Sequence, residues 1–348
     1  MSSPSSVARS TGILAVAQAA LLLSPAALAA TRPHYGGVLH VEVRESIETL
    51  DPPQTGRMSG LTGPFAISHW EGGRRAIYEA DDNAPGGRPF LDSVDILMAR
   101  SLRDQSNDLD LGKTDLVELG PNELRRQPAA RRLWSSAPLR LLALVFGAHV
   151  EDPRIREALA LAVDRAAIHN VLLQRQGEIS GALLPQWLSG YAFLFAPAAD
   201  VARARALLAG APAAARTLSL AVEDSTKPAP DIAERIALNA RDAGLIVTVA
   251  PPGARADVRL LEVRVASSDA GSALAGLALA LGLPQPARTD SPEALYAAER
   301  ALLEGFRVIP LFHLPDVYGV NPRVKGASGI TPLGEWRFEN LWVEGGKP

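Results

Sequence analysis

Hydrophobic residues recur along the chain in short runs separated by polar stretches rich in Gly and Pro, with few long helical patterns in the first half and several in the second. Val38–Val43 is rich in Val and reads as a strand. Phe65–Trp70 and Arg74–Ala80 read as two strands joined at Glu71-Gly72-Gly73, a hairpin signal. Ser93–Met98 and Asp115–Leu119 add two more short strands, and residues 121–136 read as a helix followed by a loop. Residues 54–64 and 81–89 are loops by composition. Leu139–Phe146 is almost unbroken in its apolar character, the pattern of a strand covered on both faces. Beyond it, Asp152-Pro153 supplies a helix cap with proline in the first turn. Ile155, Leu159, Val163 and Ala166 then follow at helical spacing and predict one long helix to about Leu173. Helices are predicted from Asp200 to near Gly210, over Ile232–Ala243 with Gly244 as the stop, and from Ser291-Pro292 to Leu303. Strands are predicted at Thr217–Val222, Leu245–Val249, Val258–Val263 and Val308–Phe312. The expected class is α/β, with helices packed on sheets.

Composition narrows the function. The 348 residues carry 35 Lys and Arg against 38 Asp and Glu, a formal net charge of -3. No basic field exists to hold a phosphate backbone, so no nucleic-acid partner is expected. Cysteine is absent, which excludes disulfides, thiolate metal sites and thiol nucleophiles. At the N-terminus a polar segment with Arg9 precedes the apolar run Gly12–Leu23, and Ser24-Pro25 precedes the small residues Ala27-Leu28-Ala29. That order is the order of a secretory signal cleaved near Ala29, and the run is too short to span a bilayer. The mature protein is expected to be exported to the periplasm.

Catalytic constellations are not evident. The sequence contains no phosphate-binding loop ending in Lys-Ser/Thr, no G-x-S-x-G elbow and no H-E-x-x-H. The six His, at 34, 40, 69, 149, 169 and 313, are not paired at spacings of three or four. Acid pairs such as Asp104/Asp108 read as solvated loop residues, and Arg154, Arg156 and Arg165 as surface or inter-element ion pairs. The weight falls on a protein that binds and is not an enzyme, with no cofactor and no metal site.

Several segments, in order, resemble the family 5 extracellular solute-binding proteins of ABC importers, the oligopeptide-, dipeptide- and nickel-binding type. They are Gly36-Gly37-Val38-Leu39 with Leu50-Asp51-Pro52; Gly63-Pro64-Phe65 with Trp70-Glu71-Gly72-Gly73-Arg74 and Gly87-Arg88-Pro89-Phe90-Leu91-Asp92; and Leu111-Gly112-Lys113-Thr114-Asp115. The helix start Asp152-Pro153-Arg154-Ile155-Arg156-Glu157-Ala158-Leu159 through Asp164-Arg165 is the most specific, and Val308–His313 closes the series. The resemblance implies a two-lobe, type II periplasmic-binding-protein-like fold, with mixed sheets flanked by helices. Residues 1–29 would be the signal peptide, 30–145 plus 314–348 lobe one, and 146–313 lobe two. Hinges would lie near Ala143–His149 and Leu311–Asp316, where His313 and Asp316 would be structural. A peptide or related small solute would be held between lobes by hinge closure, in a monomer that hands it to an ABC permease in the inner membrane.

Two departures qualify what the resemblance implies. Family members carry a long segment between the Leu-Asp-Pro turn and the Gly-Pro-Phe segment, where this chain has only residues 53–62, so most of the extra subdomain is expected to be missing. The family's W..D..DP element aligns with Val263–Ala270, which puts Ala266 at the first acidic position and keeps only Asp269. Candidate ligand contacts are Trp187 and Tyr191 on the loop after the long helix, Trp70, and Asp269. The alternative function is a degenerate family member that serves as a non-transport periplasmic interaction or sensor module.

Overall fold

The structure is a computed structural model that describes residues 32–48, 58, 61–191, 193–223, 228–251, 253–287 and 291–345. The signal segment and the Leu50-Asp51-Pro52 turn lie outside the described residues.

The first half of the chain builds one mixed sheet. In chain order its elements are β1 (Val38–Glu42), β2 (Phe65–Glu71), β3 (Arg75–Ala80), β4 (Ser93–Leu97), α1 (Leu102–Asp110), β5 (Leu116–Glu118), α2 (Pro121–Arg126) and β6 (Arg132–Ser135). β2 and β3 form the predicted hairpin, pairing from Phe65–Ala80 to Glu71–Arg75, and Gly73 takes the left-handed conformation that the turn needs. β1 lies between β4 and β5 and is parallel to both. Parallel neighbours need a crossover, and α1 supplies it between β4 and β5.

The chain then leaves this sheet through residues 136–139 and builds a second one. Its elements are β7 (Arg140–Phe146), α3 (Pro153–Ala162), α4 (Arg165–Val171), β8 (Glu178–Ile179), α5 (Gln186–Ser189), α6 (Val201–Leu208), β9 (Thr217–Val222), α7 (Ala229–Ala243), β10 (Ile246–Val249), β11 (Val258–Arg264), α8 (Ala270–Ala280), α9 (Pro292–Leu303) and β12 (Val308–Leu314). The strand order is β10-β9-β11-β7-β12-β8. A short return through Pro315 and Asp316 leads to β13 (Val317–Val320), which slots between β5 and β6 of the first sheet, and to the small hairpin β14 (Val324–Lys325) and β15 (Trp342–Val343). From His34 onward the chain packs as one unit that contains both sheets.

β7 shows why its sequence is so apolar. It sits between β11 and β12, antiparallel to both. Leu142, Leu144 and Phe146 join one core with Ile155, Leu159 and Ile232, while Leu141, Ala143 and Val145 join another with Leu274, Leu277 and Leu295. Alternate side chains therefore enter two separate cores. β7 belongs wholly to the second sheet, so the first passage between sheets lies at 136–139, ahead of the expected crossing at 143–149 and of the 145/146 lobe boundary.

Four local expectations are corrected. The long helix after Asp152 is two helices: Val163 is extended, and the Asp164 side chain accepts from the Ala167 N–H at 2.9 Å, capping α4. A side chain able to cap a new helix overrides an apolar period that continues across it. The segment around Asp104 and Asp108 is helical in α1, with Ser101 capping the Asp104 N–H at 3.1 Å and Asp108 paired to Arg100 at 2.6 Å. Within 121–136, β6 follows α2 where a loop is expected. Arg165 and Arg156 are buried and bond carbonyls: Arg165 reaches the oxygens of Pro310, Ala160 and Pro197, and Arg156 those of Gly305, Val150 and Glu151. Burial lowers the Arg165 guanidinium to about 10, still charged at neutral pH.

Candidate functional site

A cleft opens between the two sheets. Measured as space open to the centre of a water molecule, its volume is about 100 Å³. From the first sheet it is lined by Arg44, just past β1, by Leu102 at the start of α1, and by Glu118–Pro121, where β5 runs into α2. From the second it is lined by Arg140 and Leu142 of β7, Leu260–Glu262 of β11, Leu173 and Gln176 after α4, and Pro228, Ala229 and Ile232 at the start of α7. Leu314 at the end of β12, Asp316 on the return passage, and Val317 and Tyr318 at the start of β13 form the floor. In each sheet these positions gather where parallel strands end and the next helix begins, at the carboxyl edges of β1 and β5 and of β9. Open α/β sheets bind ligands at that edge, because chain direction brings loops and helix N-termini together there.

The polar lining is an ordered charge network. Arg140 Nη1 donates to both carboxylate oxygens of Glu262 at 3.0 Å, its Nη2 donates to the Pro315 carbonyl at 2.7 Å, and its Nε lies 3.0 Å from Asp316 Oδ1. Asp316 is buried, and its other oxygen accepts from Arg264 Nη1 at 2.8 Å. The Ser136 hydroxyl accepts from the Asp316 N–H at 2.8 Å, and the Asp316 carbonyl accepts from the Ser136 N–H at 3.0 Å. The two passages between sheets are therefore tied to each other as well as to β7 and β11. On the first-sheet wall, Glu118 accepts from the Arg44 backbone N–H at 2.5 Å. Gln176 contributes an amide whose buried nitrogen has no hydrogen-bond partner.

The four residues singled out from the sequence do not converge on this cleft. Trp187, on α5, is 40% exposed and donates from Nε1 to the Pro138 carbonyl at 2.8 Å, so it touches the first passage. The Tyr191 hydroxyl donates to the buried Glu299 at 2.5 Å, and its ring meets Tyr296 edge-on. Glu299 also accepts from the N–H groups of Leu183 and Leu184, and burial raises its pKa. Trp70 lies on edge strand β2 and packs against the first-sheet core. Asp269 caps α8 by accepting from the Ser272 N–H at 2.8 Å. The cleft residues that sequence reasoning missed, Arg44, Gln176 and Glu262 among them, carry no local motif and come together only through topology. Among the described residues no group of three or more His, Asp or Glu is placed to hold a metal ion, and no helix is long and apolar enough to cross a membrane.

The model of the bacterial extracellular solute-binding proteins, family 5 Middle, matches residues 17–276. The chain belongs to this family. The oligopeptide-binding protein AppA of Bacillus subtilis is 25% identical to the family 5 chain over 124 residues, which are 34% of this chain and 23% of AppA. Among solved structures, the ABC transporter substrate-binding protein CtaP of Listeria monocytogenes superposes with a TM-score of 0.68 at 15% identity, covering 81% of this chain and 66% of CtaP. NikA of Staphylococcus aureus, solved with Ni(L-His)2, gives 0.67 at 15% identity, covering 81% of this chain and 68% of NikA. The shared architecture is the type II periplasmic-binding-protein-like arrangement of mixed sheets and helices. The sequence match covers less than a quarter of AppA and the superposition just under two thirds of CtaP, in agreement with a shortened member of the family.

Proposed function

We propose that this chain is a solute receptor of an ABC importer, exported through a signal peptide cleaved near Ala29 to work in the periplasm. It takes one small solute into the cleft between its sheets and passes it to an inner-membrane permease. Residues 30–135 with 317–348 act as one lobe and residues 140–314 as the other, and rotation at 136–139 and 315–316 closes them. The observation that carries this reading is the cleft itself: both walls and the return passage line one cavity, and Ser136 ties the first passage to Asp316 beside it. A solute that touches both walls only when they are close biases the closed form by its difference in affinity for the two states. Family membership and the binding proteins that share the fold support a binding role over a catalytic one. A thermal-shift screen with di- and oligopeptides, nickel chelates, sugars and opines tests it, since a ligand bound only by the folded state raises stability. Stabilisation by one class is the expected result; a flat response to every class would overturn it.

The short span relative to AppA and CtaP favours one second reading, a family member that has become a non-transport interaction or sensor module. Recovery of a partner other than a permease from envelope extract, together with a flat ligand screen, is the result this reading expects.

A further inference from the structure

Resting on the cleft as the binding site, we infer that it selects an uncharged solute, with a compact aliphatic body and at least one hydrogen-bond acceptor that the Gln176 amide reads. Five charged side chains line the cleft: Arg44, Glu118, Arg140, Glu262 and Asp316. All are engaged within the protein. Arg140 is shared between Glu262 and Asp316, Asp316 is also held by Arg264, Glu118 accepts the Arg44 backbone N–H, and Arg44 and Glu118 each have a further interaction. With Arg264 included, three cations face three anions. An ionic ligand entering here would have to break one of these pairs or surrender its own hydration without a new partner, and either is unfavourable in a closed cleft.

The rest of the lining suits an apolar body. Leu102, Leu119, Leu142, Leu173, Ile232 and Leu314 come from both walls and the floor. Against that background Gln176 is the exception. Its nitrogen is buried without a partner, which disfavours the empty protein, whereas an aliphatic side chain of the same size would leave nothing unsatisfied. A half-turn of the amide exchanges its oxygen and nitrogen, so donor or acceptor can be presented to a ligand. In this form the nitrogen is closed to water, so an acceptor that arrives with the solute meets it once that half-turn brings it to face the cleft.

The test compares two probe sets of matched size by calorimetry and thermal shift on the full mature chain. One set is neutral, represented by N-acetyl-L-leucinamide, and the other ionic, represented by L-leucyl-glycine and L-leucine. The expected result is that the neutral set binds at least about 10-fold more tightly, and that Gln176→Leu weakens it by about 10-fold, the loss of one hydrogen bond made in a desolvated site. The same variant should unfold at an unchanged or higher temperature without ligand, because it removes an unsatisfied donor. A second variant, Gln176→Glu, places a carboxylate there and should also lose the neutral probe. Tighter binding of the ionic set, or neutral binding unchanged in Gln176→Leu, overturns the inference while leaving the cleft as the binding site. If neither set shifts the transition, the inference falls, and the receptor reading falls with it only when the peptide, chelate, sugar and opine screen is flat as well.

Discussion

Replacing Asp316 by Asn probes the junction of the two sheets with a change of almost no volume. The native carboxylate is 7% exposed and holds Arg140 through one oxygen at 3.0 Å and Arg264 through the other at 2.8 Å. Asparagine keeps one acceptor but aims an amide donor at a guanidinium and removes the negative charge. Breaking a fully buried pair from one side costs roughly 3–5 kcal/mol. Here the two arginines are 22% and 28% exposed, so water screens part of the loss. Arg140 also keeps Glu262 and the Pro315 carbonyl, and Arg264 keeps the Leu333 carbonyl at 3.2 Å. The expected destabilisation is therefore about 2 kcal/mol, enough to lower Tm by about 3 °C in a chain of this size. Urea unfolding followed by circular dichroism measures it, with Arg259→Gln as control. That residue's pair with Glu223 is half-exposed at both ends, and its loss should stay within about 0.5 kcal/mol. Equal stability of Asp316→Asn and the native protein would refute the argument that this carboxylate ties the passages together.

Three further outcomes are expected. Burial lowers His313 to about 4, and its Nε2 bonds the Leu183 carbonyl at 2.8 Å, with Glu178 3.7 Å from Nδ1. The unfolded chain takes up this proton first, so stability is lost as pH falls from about 6.5 towards 4, by about 2 kcal/mol between pH 7 and pH 5. His313→Gln, which keeps a donor for Leu183, should lack that part of the slope in urea titrations at the two pH values. The raised Glu299 pKa acts in the opposite direction in both proteins and cancels in the difference. Gly177→Ala should destabilise by more than about 2 kcal/mol in the same assay, because Gly177 has a φ of +70° and an added Cβ would strike the His313 carbonyl. Leu144→Ala, in the middle of β7 and fully buried, should cost about 2–5 kcal/mol as measured by chemical denaturation.

Much of the fold was legible because apolar patterning is a local signal. The run Leu139–Phe146 announced a strand with two covered faces, and β7 proved to divide its side chains between two cores. The Asp152 and Ser291 caps and the Gly244 stop were visible for the same reason: a helix end needs particular side chains within a few residues. The break at Asp164 was not visible, since the apolar period runs through it and only the capping bond reveals it. α1 was hidden by its scarcity of apolar positions, with Gln105 and Leu109 alone buried. The cleft was the least legible part. Its residues run from Arg44 to Tyr318 and meet only because β13 returns to the first sheet after β12 completes the second. Aromatics on a loop suggested ligand contacts, yet Tyr191 found its partner in Glu299 and Trp187 in the Pro138 carbonyl.

Closure itself can be measured directly. The chain contains no cysteine, so Arg125→Cys on α2 and Glu234→Cys on α7 take a donor and an acceptor dye at two exposed positions whose helices begin on opposite walls of the cleft. Single-molecule energy transfer then reports the distance between walls, with and without a probe that has raised the unfolding temperature. A saturable shift of the population towards shorter distances is the predicted result. A distance distribution that stays fixed while the same probe stabilises the protein would contradict closure of the two halves on a solute.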